Sequence, residues 1–295
     1  MSLPPLHLRS LLRRLPALIV SVGLATFPAT SGAPTVVPTL ATPPAFDHVI
    51  LAIFENHASG EVLGSGAAPW MDSLAASGAN FTNSYAVTHP SQPNYLDLFS
   101  GSDQGVVDDT CPHTVGTGSL ASQLIASGRT FVGWSESLPA PGSLTCGAAG
   151  GAYARRHAPW TNFSNLPATV VGRPLSTLPT NYTLLPTVSW IVPNTCHDMH
   201  NCSVGTGDAW AKANLAPYAH WATTHNSLLI VTFDEDDHAG GGNHVATIFA
   251  GAHVLVGSYP QAITHFTVLR TIEAMYGLAP LGKAAACGPA SNVFG

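Results

Sequence analysis

The chain of 295 residues is poor in charge, with 9% Asp, Glu, Lys and Arg together, and only ten of its side chains are Lys or Arg. Three of those ten, Arg9, Arg13 and Arg14, precede the apolar stretch LPALIVSVGLATFPA, and small residues ATSGA follow. A positive start, a short apolar run and a small-residue end predict a secretory signal peptide over residues 1–33. Its apolar part falls short of the roughly 18 or more residues that span a bilayer. No later run is long and apolar enough either, so the expectation is a secreted, extracellular protein without stable membrane insertion. Without residues 1–33, seven basic side chains face sixteen acidic ones, net −9. That balance excludes nucleic acid and an anionic membrane surface as tightly held electrostatic partners. A Gly-x-Ser-x-Gly elbow is absent, which removes the main mark of a carboxyl-ester hydrolase. Internal repeats and linker-like charge runs are absent too, so residues 47–295 are expected to form one domain behind a Pro-rich tether at 34–46.

Five cysteines are few, and in an exported chain they read as disulfides before metal thiolates. Cys196 and Cys202 bracket HDMHN, Cys111 and Cys146 can close a loop, and Cys287 is then left over; other connectivities remain open.

Apolar runs do recur. HVILAIF, FTNSYAV, TFVGWSES, TVSWIVP, SLLIVTF and HVATIFA alternate with helical patterns such as GSLASQLIASG and GDAWAKANLAPYAHWATTH. Near-continuous apolar strands separated by helices predict an α/β fold, a central mostly parallel sheet covered by helices on both faces. Ligands of such sheets bind beyond the carboxyl ends of the strands. Polar residues collect there: Glu55 and Asn56 after VILAIF, Thr88 and His89 after NSYAV, Glu136 after VGWS, Asp198 and His200 beyond SWIVP, and Asp234 to Asp237 after LLIVTF. Glu55-Asn56 alone also reads as a turn pair and DEDD as a solvated loop. Four carboxylates with no basic partner nearby repel one another unless a cation sits among them, and their oxygen donors suit a hard or borderline divalent ion.

In VTHPSQPNY, Pro90 and Pro93 stiffen a turn into a helix expected to begin near Asn94. The turn aims Thr88 at the top of the sheet, beside a helix N-terminus that favours an anion. The competing reading makes Thr88 or Ser91 a helix cap.

FENHASG, THPSQPNYLDLFSG, GRTFVGWSESLP, YARRHAPW, DMH, LLIVTFDEDD and THFTVLRTIEAMYGL together resemble the bacterial phosphoesterase family of secreted acid phosphatases and phospholipases C, within the alkaline phosphatase superfamily. The likeness is strongest to secreted acid phosphatases that act on phosphatidylinositol 3-phosphate. It implies an alkaline-phosphatase-like three-layer sandwich with Thr88 as nucleophile and Glu55, Asn56, Asp234 and Glu235 as metal ligands. It also implies His200 and His157 as catalytic histidines, one of them acting as an imidazolium acid, and His89, Asn94, Asp198 and His265 as substrate contacts. Asp234-Glu235 replaces the Asp-His of the superfamily's zinc phosphatases, so the cofactor is a divalent ion of open identity, Ca, Mg, Mn, Fe or Zn. The expected activity is a metal-dependent acid phosphatase working through phosphothreonine on small phosphorylated substrates or a phosphoinositide head group. A phospholipase C-type phosphodiesterase and a non-enzymatic metal-binding exoprotein are the alternatives.

Overall fold

A computed structural model describes residues 42–295. The expected signal peptide and most of the tether lie outside the described residues.

Continuous apolar strands demand cover on both faces, and eight strands meet that demand in one sheet. Its centre is His48–Phe54, hydrogen-bonded in parallel to Val188–Val192 on one side and Ser227–Phe233 on the other. Phe131–Ser135 and then Gly172–Pro174 extend the first side in parallel. On the second side Thr247–Gly251 runs antiparallel to Ser227–Phe233, and Ala79–Phe81 and Gly257–Tyr259 complete the sheet. One strand of eight is therefore reversed.

Alternate residues of His48–Phe54 enter two separate cores. Val49, Leu51 and Ile53 pack with the helices Ser91–Ser100, Leu120–Ala126 and His265–Met275. Ile50, Ala52 and Phe54 pack with the helices Pro69–Ser77 and Val204–Ala222. The three layers match the architecture expected from the strand pattern.

FTNSYAV departs from expectation. It splits into Ala79–Phe81 in the main sheet and Ser84–Tyr85, which pairs with Ile263–Thr264 in a two-stranded sheet of its own. The helix after it begins at Ser91 and not near Asn94, with Pro90 as its N-cap. Pro93 fits because the first-turn N–H groups of a helix have no intrahelical acceptor, so a missing one costs nothing. All ten residues of Ser91–Ser100 are buried, so the polar ones among them face protein and not water.

Candidate active site

Strand register brings the acidic groups together. Phe54 pairs with Phe233, so the next residues, Glu55 and Asp234, leave the sheet side by side at its carboxyl edge. The Asn56 N–H donates to Asp234 Oδ1 at 3.1 Å, and Asn56 adopts φ 55°, a left-handed conformation that Asn tolerates better than most residues. Glu235 N–H donates to the same oxygen at 2.7 Å. Asp234 Oδ2 is buried with no hydrogen-bond partner among the described residues.

The Ser91 helix closes the cluster from the other side. Ser91 Oγ lies 2.9 Å from Glu55 Oε2 and 3.2 Å from Glu235 Oε1, and Tyr95 Oη donates to Glu55 Oε1 at 2.6 Å. Burial, reinforced by Glu55 and Glu235, pushes the Asp234 carboxyl well above its usual range. Burial and Glu55 likewise lift Glu235 to about 8. Among the described residues no Lys or Arg pairs with these three carboxylates; their charged contacts are histidines, His157 to Glu55 and His89 to Glu235. Asp234 and Glu235 are thus both raised, and Asp234 keeps an orphaned oxygen; among the described residues the groups whose ligand atoms converge closely enough for a metal ion are His89, Glu235 and His238, and Glu55, His157 and Asp198.

The turn carrying Thr88 is held by Asn94. Asn94 Oδ1 accepts from the N–H groups of Val87 and Thr88, both at 3.0 Å, and Nδ2 donates to Thr88 O at 2.7 Å. Asn243 Nδ2 donates to that same carbonyl at 2.8 Å. Asn94, expected as a substrate contact, is fully buried and hydrogen-bonded to the turn's backbone. Thr88 lines a cavity of about 510 Å3 with His89, Asp236, His238 and Asn243. Its Oγ1 donates to the His89 carbonyl at 3.2 Å, so the hydroxyl in hydrogen-bond contact with the carboxylates is Ser91's. Ser91 is only 2% exposed. His89 Nδ1 meets Glu235 Oε2 at 2.8 Å and Nε2 meets Asp236 Oδ1 at 3.3 Å, while its ring lies against His238 with centroids 3.6 Å apart and planes tilted by 34°. The glycine-rich loop after Asp237 permits this closeness, since a Cβ at Gly241 would stand 2.9 Å from Asp236 Oδ2.

Three further histidines expected at the site, His157, His200 and His265, do not line this cavity. His157 is 1% exposed, stacked on Tyr95 and wedged between Glu55 Oε1 and Asp198 Oδ2, each at 3.2 Å. Burial draws its pKa down to about 4, against the opposing pull of Glu55. With Glu55 and Asp198 it forms a buried trio whose ligand atoms converge closely enough for a metal ion. Asp198 is itself buried and accepts from the His200 N–H at 2.8 Å, so it orients this trio and does not reach the cavity wall. His200 Nε2 lies 3.2 Å from an Arg156 guanidinium nitrogen, and its Nδ1 lies 2.8 Å from Asn201 Oδ1. His265 is buried, its pKa lowered by burial to about 4, and its Nε2 donates to the Asp234 carbonyl at 2.7 Å. Through that bond it braces the strand end. Tyr95, Arg156, His238 and Asn243 were not singled out from the sequence, and Ser91 was weighed as a helix cap; Tyr95 carried a signal in lying one helical turn after Ser91.

Cys111 pairs with Cys146 and Cys196 with Cys202, and Cys287 is free. The second disulfide closes the loop that carries Asp198 and His200.

The model of the Phosphoesterase family matches residues 53–279, from the first strand to the last helix. The chain belongs to the Phosphoesterase family. Membership makes it a hydrolase of phosphate esters, the enzyme class expected from the sequence. This phosphoesterase is 46% identical over 255 residues to the phosphatidylinositol-3-phosphatase of Mycobacterium tuberculosis, covering 85% of this chain and 84% of that one. An acid phosphatase of Aspergillus fumigatus is 28% identical over 230 residues, and there the phosphoesterase chain spans about half of the fungal protein, 51%. A structure of an alkaline phosphatase superfamily protein from Vibrio parahaemolyticus superposes with a TM-score of 0.59 at 14% identity, covering 88% of this chain and 75% of that one. That likeness identifies the fold as alkaline-phosphatase-like.

Proposed function

We propose that the protein is an exported, metal-dependent acid phosphatase that hydrolyses phosphate monoesters through a phosphothreonine on Thr88, phosphatidylinositol 3-phosphate among them. The observation that carries the reading is Thr88 on the wall of an open cavity with Asp236 and His89, its backbone clamped by Asn94, while His89 and Asn94 both reach Glu235 of the buried carboxylates. The phosphatidylinositol-3-phosphatase at 46% identity supports the lipid substrate, and the fungal acid phosphatases support the reaction. Two disulfides support export to an oxidising compartment.

Glu55, Asp234 and Glu235, with Asn56 beside them, would hold a divalent cation, which when bound would supply positive charge to phosphoryl oxygens and favour ionisation of a neighbouring hydroxyl. Thr88 Oγ1 forms the new bond to phosphorus as the bond to the alcohol oxygen breaks. His89 stands on the cavity wall with both ring nitrogens against carboxylates and its pKa lowered by burial and by His238, so it gives the leaving oxygen a proton only when one of those contacts opens. Water then attacks phosphorus, releasing phosphate and restoring the threonine hydroxyl. The rigid turn matters because a near-attack geometry is lost with displacements of about 1 Å.

The second reading makes Ser91 the nucleophile, favoured by its contacts with Glu55 and Glu235 and opposed by its burial. The deciding assay compares p-nitrophenyl phosphate, bis-p-nitrophenyl phosphate and phosphatidylinositol 3-phosphate, with and without chelator. Monoester turnover above diester turnover, lost on chelation and regained with a divalent ion, supports the proposal. Diester turnover equal or higher reassigns the protein as a phosphodiesterase.

A further inference from the structure

Pro93 and Asp97 stand four residues apart on the Ser91–Ser100 helix, hence on one face of it. That face walls a second cavity of about 270 Å3, which Thr88 also lines and whose other side carries Asp103, Val106 and Lys283. Thr88 thus stands between two cavities, one beside the carboxylates and one away from them.

The second cavity holds polar groups that the fold itself does not use. Asp97 is 1% exposed, yet neither carboxylate oxygen has a hydrogen-bond partner among the described residues. Its contribution to the fold is its backbone carbonyl, which accepts from Gly101 N–H at 2.8 Å. An unsatisfied buried carboxylate destabilises a fold, and an apolar side chain of similar size would fill the position without that cost. Lys283 is exposed, sits 5.5 Å over the Phe266 ring and makes no ion pair among the described residues. It is one of ten basic side chains in the whole chain, and it stands on the same cavity as the hydroxyl assigned to attack phosphorus.

We propose that this second cavity is the subsite for the alcohol half of the substrate and selects a cyclic polyol that bears a second phosphate. Asp97 accepts hydrogen bonds from ring hydroxyls, Pro93 and Val106 cover the apolar face of the ring, and Lys283 pairs with the second phosphate. The inference rests on the Thr88 reading above, because it places the scissile phosphate at Thr88 and the ring beyond it. A lipid head group and a free inositol phosphate share this chemistry.

The test is a set of kcat/KM ratios on the purified full chain with its divalent ion. Inositol 1,3-bisphosphate over inositol 3-phosphate reads Lys283, and inositol 3-phosphate over cyclohexyl phosphate reads Asp97. Lys283→Ala is expected to lower the first ratio about threefold or more, the size of one exposed ion pair, and Lys283→Glu to lower it further. Asp97→Ala and the better-filling Asp97→Asn are each expected to lower the second ratio, with thermal midpoints recorded for both. Lys212→Ala, on the far helix Val204–Ala222, is expected to leave both ratios at wild-type values. Phosphatidylinositol 3-phosphate in phosphatidylcholine vesicles and its short-chain soluble form separate the two sources. Equal losses on both support head-group recognition, whereas a loss confined to vesicles assigns Lys283 to the membrane surface and overturns the subsite. Unmoved ratios in folded Lys283→Glu and Asp97→Asn overturn it as well. A wild-type protein that cleaves no monoester removes the Thr88 reading and the subsite together, while cleavage with unmoved ratios removes the subsite alone.

Discussion

Replacing Asn94 by Ala separates a positioning role from a binding one. The side chain satisfies the backbone N–H groups of Val87 and Thr88 and donates to Thr88 O at 2.7 Å, with longer contacts of 3.3 Å to Pro90 O and Glu235 Oε2. Truncation leaves two part-buried N–H groups without their acceptor. At about 1–3 kcal/mol for each unsatisfied buried group, and with partial rescue by water, the expected loss of unfolding free energy is about 2–4 kcal/mol. Freed of its clamp, the Thr88 turn samples other positions, and kcat is expected to fall about 100-fold. KM should change little, because Asn94 touches backbone and not substrate. Asn94→Asp gives a sharper version: it keeps the acceptor for the two N–H groups, loses the donor to Thr88 O and sets a charge beside Glu235. It should retain more stability than Asn94→Ala and still lose kcat. Urea unfolding monitored by fluorescence and steady-state kinetics on p-nitrophenyl phosphate measure both. A rise in KM at unchanged kcat would return Asn94 to the substrate, and kcat within threefold of wild type would refute the clamp.

Asp234→Asn should lower turnover more than 100-fold and raise the thermal midpoint of the metal-free protein, because it removes one of three repelling buried carboxylates while keeping the oxygen that accepts from Asn56 and Glu235; a metal-free midpoint below wild type would contradict this. Cys196→Ser with Cys202→Ser should cost about 2 kcal/mol by loop-closure entropy and reduce turnover at temperatures where the protein remains folded, as the loop bearing Asp198 loosens; unchanged calorimetry and kinetics would count against it. Asp97, with Lys283 and Asp103 as its charged neighbours, is raised by burial from 3.8 to about 7, so the native state binds more protons than the unfolded one between those values. Stability should therefore fall as pH climbs from about 4 to about 7, and Asp97→Asn should flatten that slope in denaturant titrations; an unaltered slope would refute the assignment.

The strands were readable because burial on both faces writes a continuous apolar run, whichever way the strand points. For the same reason HVATIFA did not disclose that Thr247–Gly251 runs antiparallel. Gly172–Pro174 and Gly257–Tyr259 went unseen because three-residue edge strands, partly exposed, carry no period. At the site, Glu55 and Asp234 were legible from their place just after buried strands. Ser91 and Tyr95 were not, since their partner Glu55 is 36 and 40 residues away in sequence, and Asn243 reaches Thr88 across 155. A sequence also shows a polar residue without showing what its hydrogen bonds are spent on. Asn94 on the turn's backbone and His265 on a strand-end carbonyl are the two clearest cases.

Acid quenching of the protein during turnover of a monoester, followed by peptide mass spectrometry, tests the central claim most directly. The account predicts a phosphoryl group on Thr88, absent in Thr88→Ala and carried at residue 88 in Thr88→Ser with reduced turnover. A phosphoryl group on Ser91, or full turnover by Thr88→Ala, would contradict it.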